Sequence, residues 1–466
     1  MRILAALLLL ISFATPAQTK KPAHTPTPTP AAELKFVLIV SRHGIRPPLQ
    51  PTSTLNQFSA DRWPEWEVPL GELTPHGAIA IQQMGLYLRL RYVEDGLFAP
   101  GGCPAPADLY LYADTDHRNI DSTRATFDGF APNCDHLDIN IMAPTPDNKR
   151  DPLFNAVPSA FAPPSAAEAE AALRAALHAN PDFALSARGN PELKDMAHIL
   201  APDPARQPAK PILTQPISFS PGTYGASAHG PLPAASNLIE DLELEFVDAK
   251  PLTQVGWGRL GSTDDVADTT LLHLLPLHVK AFGLGLRTPL YARAQGSSLL
   301  AHLLATLHQA ANSNSSASSG PWTLDAGPSP VWPIGPAGAH FVYLSAHDSN
   351  IFTLGGLLGL HWRADSRTDD TPPDSQLAFE LWQHPGSSGA GEKDYDIRIV
   401  YRAQTLAQLR TAETLSLENP PAEVELTPTG CIAHHACPLA TFLTAAARTL
   451  DPAYVKPDLA PITLAP

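Results

Sequence analysis

One stretch near the start of the chain carries the side chains best suited to chemistry. Arg42, His43 and Gly44 follow closely on the apolar run 36–40, and Arg46 comes soon after. The guanidinium forks of two arginines match the oxygens of a phosphoryl group, and the imidazole can act as a nucleophile. A surface loop with ordinary ion pairs is the alternative. The pattern Arg-His-Gly-x-Arg-x-Pro after an apolar strand is more specific than such a loop requires.

A second group of polar side chains ends another apolar run, far downstream. His347 and Asp348 follow the segment 341–346. An imidazole can stabilise a phosphate oxygen, and a carboxyl can protonate a leaving group. Alone, the pair would also be explained as a helix N-cap aspartate beside a core histidine. No Gly-x-Ser-x-Gly sequence follows a predicted strand, so a Ser/His/Asp triad of the α/β-hydrolase type is not supported.

Apolar periodicity predicts the elements that must position these groups. Branched apolar runs indicate buried strands, and ligands bind at the carboxyl ends of such strands in α/β sheets. Thr74 and Pro75 form a typical helix start, with the threonine as N-cap. Strands are predicted at 36–40, 109–113, 139–142, 341–345, 377–382 and 397–401. Helices are predicted from 75 to about 93 and at 121–130, 166–178, 236–247, 271–284, 289–310 and 351–360, and a loop at 201–233.

Together, the two polar groups resemble the catalytic signature of the histidine acid phosphatases, branch 2 of the histidine phosphatase superfamily. The resemblance extends from Leu34 to about Leu450, and the most similar members are bacterial periplasmic phytases and glucose-1-phosphatases. It implies an α/β fold: a central mixed sheet flanked by helices, as in the phosphoglycerate mutases, with an inserted, mainly helical cap domain. It also implies phosphomonoester hydrolysis through a phosphohistidine, with no cofactor and no metal.

The resemblance assigns a role to each of these site residues. His43 would be the nucleophile. Asp348 would protonate the leaving oxygen and then assist the attacking water. Arg42, Arg46 and His347 would bind the phosphate oxygens and stabilise their charge in the transition state.

One more phosphate-binding arginine is expected after the strand at 109–113. The family pattern Asp-x-Asp-x-Arg-Thr aligns with residues 114–119, although asparagine stands where the threonine is usual. By that alignment the arginine is Arg118. Arg124 is a weaker candidate, because its position is more typical of an exposed helix residue.

Two clusters could be interpreted as metal sites. Asp114, Asp116 and His117 offer two carboxylates and an imidazole, but we favour carboxylates that orient Arg118, since members of the family need no metal. The segment 431–437 offers two thiols and two imidazoles. Its spacing fits no common zinc pattern, and an oxidising compartment favours disulfides.

The start of the chain predicts export. Residues 1–17 combine an early arginine with an apolar run and small residues at Ala14 and Ala17, which is typical of a secretory signal peptide cleaved after one of these alanines. The run is too short to span a bilayer. Residues 18–33 are rich in proline and threonine and predict an extended linker. The protein is therefore expected in the periplasm or outside the cell.

Export agrees with the cysteine content, because disulfides persist in oxidising compartments. The chain has 4 cysteines, which leave three pairings open from the sequence alone. The resemblance to bacterial members of the family favours Cys103–Cys134 and Cys431–Cys437.

Composition limits the partners and divides the chain. A net charge of −15 over 466 residues argues against nucleic acid or an anionic membrane as a partner. The resemblance implies a small phosphomonoester as the substrate, and we expect a monomer or homodimer. The segment 151–255 interrupts the alternation of strands and helices. We therefore predict a core formed by 34–150 and 256–466, with 151–255 as the inserted cap.

The substrate is the least constrained prediction. Phytases of the family often continue the first motif with a threonine and a lysine, where this chain has Leu49 and Gln50. Fewer cations near the site should weaken binding of a polyanion. We expect a phosphatase that accepts sugar phosphates and cleaves phytate without strong preference. The alternatives are a phytate-preferring phytase and, in another class, a periplasmic phosphate-binding protein without turnover.

Overall fold

The strand that carries the first motif lies in the interior of the sheet. The computed structural model of the protein describes residues 32–135, 137–144, 150–180, 190–313, 322–323, 330–433 and 435–464. In it, strand β1 spans Glu33–Arg42. Val37, Leu38, Ile39 and Val40 are fully buried, because helices cover both faces of the sheet. This explains why the run is apolar without alternation.

The sheet is mixed, as predicted. Beyond β1, the strands are β2 (Leu109–Ala113), β3 (Ile139–Met142), β4 (Ser218–Gly222), β5 (Gly225–His229), β6 (Phe341–Ala346), β7 (Arg363–Ala364), β8 (Arg367–Thr368), β9 (Gln376–Gln383), β10 (Tyr395–Ala403), β11 (Ala422–Leu426), β12 (Cys437–Pro438) and β13 (Pro461–Leu464). Over the described residues, the main sheet runs β11-β10-β9-β1-β6-β2-β3-β13, with β12 beside β10. β1 pairs in parallel with β6 and antiparallel with β9.

Helices form a layer on each face of this sheet. They are α1 (Thr52–Leu55), α2 (Pro75–Glu94), α3 (His117–Phe130), α4 (Ala156–Ser159), α5 (Ala166–Ala179), α6 (Pro191–Leu200), α7 (Pro231–Val247), α8 (Asp264–Leu274), α9 (Pro276–Leu286), α10 (Pro289–Ala311), α11 (Asp348–Leu358), α12 (Leu406–Thr411) and α13 (Leu439–Ala447). Val37 and Ile39 share one apolar cluster with α2 and α3. Leu38 and Val40 share the other with α10, α11 and α13. Among the described residues, no helix is both long and apolar enough to cross a bilayer.

The predicted strands are confirmed, and so are most of the helices. Helix α2 starts as expected, with the Thr74 side chain accepting a hydrogen bond from the Gly77 amide at 2.9 Å. Four predictions are wrong in detail, and one of them is the start of the helix predicted at 121–130, because α3 begins at His117. The segment 271–284 is two helices, because Pro276 starts a new helix where α8 ends. The predicted loop 201–233 contains the β4–β5 hairpin, and α7 starts at Pro231 rather than at residue 236.

Helix α7 lies at the centre of a third apolar cluster. This cluster joins α5, α6, α8 and α9 to residues of the predicted core, including Ile45 and Leu406. A helical layer therefore continues from the predicted cap 151–255 into α8 and α9, and the boundary at 255 stays a prediction.

The cysteines form Cys103–Cys134 and Cys431–Cys437, which confirms the pairing that the resemblance favoured. Because the sulfurs of Cys431 and Cys437 are bonded to each other, neither is available as a thiolate ligand for zinc. The predicted signal peptide 1–17, with its cleavage site, and all but the last two residues of the linker 18–33 lie outside the described residues.

Candidate active site

The two sequence motifs meet where parallel strands end. Arg42 is the last residue of β1 and lies opposite Ala346, the last residue of β6. The chain then turns away on both strands, and the rings of His43 and His347 come to 5.6 Å between centroids. The carboxyl end of the sheet thus brings together the groups that the sequence pattern singled out.

His43 is held as a neutral imidazole with one defined proton. Its Nδ1 lies 2.9 Å from the carbonyl oxygen of Gly44. A carbonyl only accepts, so Nδ1 carries the proton and Nε2 keeps a free lone pair. Burial lowers the pKa of His43 well below its usual range, and Arg118, Arg46 and Arg42 lower it further. The site therefore keeps Nε2 available as a nucleophile.

Gly44 packs closely against α2 and α3. A Cβ at this position would lie 2.7 Å from Leu73 Cδ1 and 3.3 Å from the Gly77 carbonyl oxygen. The Gly44 amide donates to Ser122 Oγ of α3 at 2.9 Å. The loop that carries His43 therefore packs directly on α2 and α3.

Two arginines beside His43 share one acidic partner. Arg42 Nη2 lies 2.5 Å from Glu240 Oε1, and Arg46 Nη2 lies 3.0 Å from the same oxygen. Arg42 also pairs with Asp348 at 3.0 Å and donates to the Thr371 carbonyl at 2.5 Å. With these partners both guanidiniums are buried and oriented beside His43.

Asp348 is the first residue of α11, and His347 is its N-cap. The alternative in which Asp348 is itself the N-cap is therefore wrong. Burial acts to raise the pKa of Asp348, but Arg42 and Arg46 outweigh it, and the net shift is downward. Without a bound anion, Asp348 is a carboxylate next to Arg42.

Arg118 lies at the site, and Arg124 does not. The Arg118 guanidinium is 3.5 Å from His347 Nδ1 and donates to Asp116 Oδ2 at 2.6 Å. Arg124 is exposed and pairs with Asp121 one helical turn away. Since α3 begins at residue 117 rather than 121, Arg118 lies in its first turn.

The Asp114–Asp116–His117 cluster does not form. The exposed His117 lies near Glu72, whereas His347 Nε2 contacts Asp114 Oδ2 at 2.6 Å. Asp114, Asp116 and His347 do lie close enough together to hold a metal ion. In this arrangement, however, Asp114 orients His347 and Asp116 orients Arg118. The geometry thus supports the role that we favoured for Asp116, whereas Asp114 contacts His347 and not Arg118.

Sequence reasoning missed Glu240. It lies on α7, within the predicted cap, and joins Arg42 and Arg46. Burial acts to raise its pKa, but the two arginines outweigh it and the net shift is downward. The signal was present, because Glu240, Asp241, Glu243 and Glu245 interrupt an otherwise apolar helix face. Buried acids of this kind need partners or protons.

Comparisons with known proteins agree with this geometry. A family model described as histidine phosphatase superfamily (branch 2) matches residues 33–402. Phytase AppA of Escherichia coli (strain K12) is 32% identical, over 89% of this chain and 91% of that protein. A glucose-1-phosphatase of Salmonella typhimurium is 28% identical, over 93% and 95%. The apo form of a Hafnia alvei phytase has a TM-score of 0.77 at 30% identity, covering 92% of this chain and 100% of that chain.

Proposed function

Because the chain belongs to the histidine phosphatase superfamily (branch 2), we propose that it hydrolyses phosphomonoesters in two steps through a phosphohistidine on His43. The observation that carries this proposal is the state of His43. Its proton lies on Nδ1, its Nε2 is free, and three arginines surround it. A neutral nucleophile among fixed cations suits attack on an anionic phosphorus centre.

In the first step, His43 Nε2 attacks phosphorus and the bond to the leaving oxygen breaks. Arg42, Arg46 and Arg118 stabilise the charge on the other phosphate oxygens. Asp348 gives its proton to the leaving oxygen, so that the product leaves as an alcohol. A bound phosphate offsets the charge of the arginines, and this raises the pKa of Asp348 from its low value in the free protein.

In the second step, water attacks the phosphohistidine. Asp348, now a carboxylate, accepts a proton from that water as the new P–O bond forms and the P–N bond breaks. Inorganic phosphate leaves and His43 returns to its neutral form. Once the anion has gone, Asp348 releases the proton that it took up when the substrate bound, and it is again the carboxylate of the free protein. Each residue thus ends the cycle in the state in which it began.

We propose that the substrate is a sugar phosphate, and that phytate is cleaved but not strongly preferred. The relatives are named phytase and glucose-1-phosphatase, which supports a phosphate ester of a polyhydroxylated alcohol. Leu49 is 58% exposed. Both Leu49 and Arg118 lie next to Gly71, because a Cβ placed at Gly71 would be 3.0 Å from Leu49 Cδ2 and 3.7 Å from Arg118 Nη1. The rim next to Arg118 is therefore apolar at this point. A phytate-preferring enzyme remains the alternative.

The deciding experiment measures steady release of phosphate from an aryl phosphate and a sugar phosphate in the presence of EDTA. We expect turnover by the wild type, an acid-labile phosphoenzyme after acid quench, and a loss of several orders of magnitude in His43→Ala. His117→Ala is the matched control, because His117 is exposed and pairs outside the site. Near-normal turnover in His43→Ala would overturn the mechanism. Phosphate binding without turnover in the wild type would establish the binding-protein alternative.

We also propose export, from residues 1–17 and the two disulfides. N-terminal sequencing of the mature protein from a periplasmic fraction would test it, with a new terminus after Ala14 or Ala17 as the expected result. The monomer or homodimer prediction is open to size-exclusion chromatography with light scattering.

A further inference from the structure

A residue with a left-handed backbone conformation contacts the backbone of His43. Asp374, just before β9, has a φ of 65°, a conformation that aspartate and asparagine adopt more readily than other residues with a Cβ. The Asp374 amide donates to the carbonyl oxygen of His43 at 3.1 Å. The backbone of the nucleophile is therefore held by a turn whose shape depends on this residue.

The same turn, Thr371–Ser375, also fixes Arg42. The Thr371 carbonyl accepts from Arg42 Nη1 at 2.5 Å, and the Ser375 carbonyl accepts from the Arg42 amide at 2.8 Å. The Ser375 amide closes the turn by donating to the Pro372 carbonyl at 3.1 Å. One short turn thus contacts the backbone or side chain of both reactive residues of the first motif.

The side chain of Asp374 connects this turn to helix α2. It is 1% exposed, and its Oδ2 accepts from Gln404 Nε2 at 2.9 Å. Gln404 Nε2 also donates to the Ala80 carbonyl of α2 at 3.0 Å. The carboxyl therefore links the turn, the segment after β10 and α2.

The surroundings of the carboxyl favour its neutral form. Burial raises the pKa of Asp374 well above its usual range, and the Gln404 and Gln376 amides only partly offset this. Among the described residues no cation counters it, and the titratable group facing it is Tyr343, whose own pKa is raised. Among the described residues, the side-chain amide oxygens of Gln404 and Gln376 accept no hydrogen bond. A protonated carboxyl has the O–H donor that such oxygens need.

We propose that Asp374 is a positioning residue: its carboxyl anchors the Thr371–Ser375 turn to Gln404, and the turn holds His43 and Arg42 in place for attack on phosphorus. The proposal rests on the proposed role of His43. Because Asp374 acts through the nucleophile and not through the leaving group, its loss should slow phosphoenzyme formation equally for good and poor leaving groups.

Two substitutions separate the side chain from the backbone. Asp374→Gly keeps the left-handed conformation and removes the anchor. Asp374→Asn keeps the shape, the conformation and a neutral hydrogen-bonding group. We expect Asp374→Gly to lower kcat about 10- to 100-fold on aryl and sugar phosphates alike, and Asp374→Asn to stay within about threefold of the wild type. Asn133→Gly, at an exposed residue with a φ of 63°, is the control for the backbone change.

The readouts are single-turnover phosphoenzyme formation, kcat and KM on both substrates, and thermal unfolding. Wild-type kcat in Asp374→Gly, a loss in Asp374→Asn as large as in Asp374→Gly, or a loss confined to the sugar phosphate would each overturn the proposal. If Asp374→Gly does not fold, Gln404→Ala, which removes the other end of the anchor, replaces it with the same expected loss. These failures differ from failure of the proposed function, which an active His43→Ala would show.

Discussion

The acids of helix α7 are buried both beside the carboxyl end of β1 and away from it, and their pKa values shift in opposite directions in these two places. Arg42 and Arg46 form ion pairs with Glu240, and the pKa of Glu240 is lowered although it is buried. On the same helix, burial raises the pKa of Asp241 and Glu245. Among the described residues, Glu240 forms ion pairs with two arginines, whereas Asp241 and Glu245 form none.

Glu243 is intermediate between these cases. Burial and then Asp370 raise its pKa to about 8, although Arg367 and Arg42 act against them, and its Oε1 is 4.0 Å from Arg367 Nη1. Glu240 and Glu243 lie one turn apart on α7 and differ in charge. Glu240 is ionised against the arginines, and Glu243 is protonated. Burial alone does not decide charge in this protein; the distance to a guanidinium does.

The largest expected effect follows from removing Arg42, the cation that Glu240 and Asp348 share. Arg42→Ala should reduce kcat/KM at least 1,000-fold, or about 4 kcal/mol in transition-state stabilisation. It removes a phosphate ligand and leaves Asp348 without its closest cation. Steady-state kinetics on an aryl phosphate test this, with Arg124→Ala as control, because Arg124 is an exposed arginine of α3 that pairs with Asp121. A loss below tenfold would mean that Arg46 and Arg118 suffice.

Asp348→Asn tests the second acid that pairs with Arg42. The proposed mechanism requires Asp348, unlike Glu240, to take up a proton beside that arginine. An aryl oxide leaves without help, whereas a sugar alkoxide needs the proton. We expect a loss of roughly 100- to 1,000-fold in kcat on a sugar phosphate and much less on an activated aryl phosphate. The ratio of the two losses is the measurement. Equal losses on the two substrates would show that Asp348 does not protonate the leaving oxygen.

The protonated acids of α7 predict stability that falls as pH rises. The folded pKa of Glu243, about 8, lies above its ordinary value of 4.5. Between these values the folded protein holds a proton that the unfolded chain has released. The contribution of Glu243 is therefore full below about pH 4.5 and is lost as pH rises to about 8, with an upper limit of roughly 5 kcal/mol.

Urea unfolding of the wild type and Glu243→Gln between pH 5 and 8 tests this. The variant should lose less stability over that range, because a glutamine has no proton to release. Exposed Glu413→Gln should behave as the wild type does. Parallel curves for wild type and Glu243→Gln would show that Arg367 keeps Glu243 charged throughout.

The smallest effect is expected at the rim, where the basic site meets solvent. Leu49→Lys adds a cation at a 58% exposed position, so it should raise kcat/KM for phytate relative to glucose 1-phosphate by a few-fold, and less at high salt. Ile432→Lys, in the Cys431–Cys437 loop and 70% exposed, is the control. A wild-type preference for phytate of a hundredfold or more would instead mean that cations elsewhere bind the other phosphates.

The parts of the site that sequence reasoning located are those with local signals. β1 and β6 are continuous apolar runs, and each ends in a short polar motif, so His43 and Asp348 could be placed at strand ends before any contact was known. Arg118 was found by similarity, because nothing in its own surroundings separates it from Arg124.

The parts that it missed depend on tertiary contacts. Glu240 acts across the boundary between the predicted cap and core, and an amphipathic pattern cannot say which acid faces an arginine. Asp374 acts through a backbone conformation, and aspartate is common in turns without any such role. The break at Pro276 was visible in the sequence, but the apolar run across it favoured one helix over two.

The parallel pairing of β1 with β6 also has a consequence for folding. The two strands, Glu33–Arg42 and Phe341–Ala346, are far apart in the sequence, so their contact has a very high sequence separation. Such non-local pairing slows folding, because the entropy of closing a long loop is lost before the contact stabilises it. His43 acquires its partners only after the strand that carries His347 has docked. The activity should therefore return late in refolding, after most helices have formed.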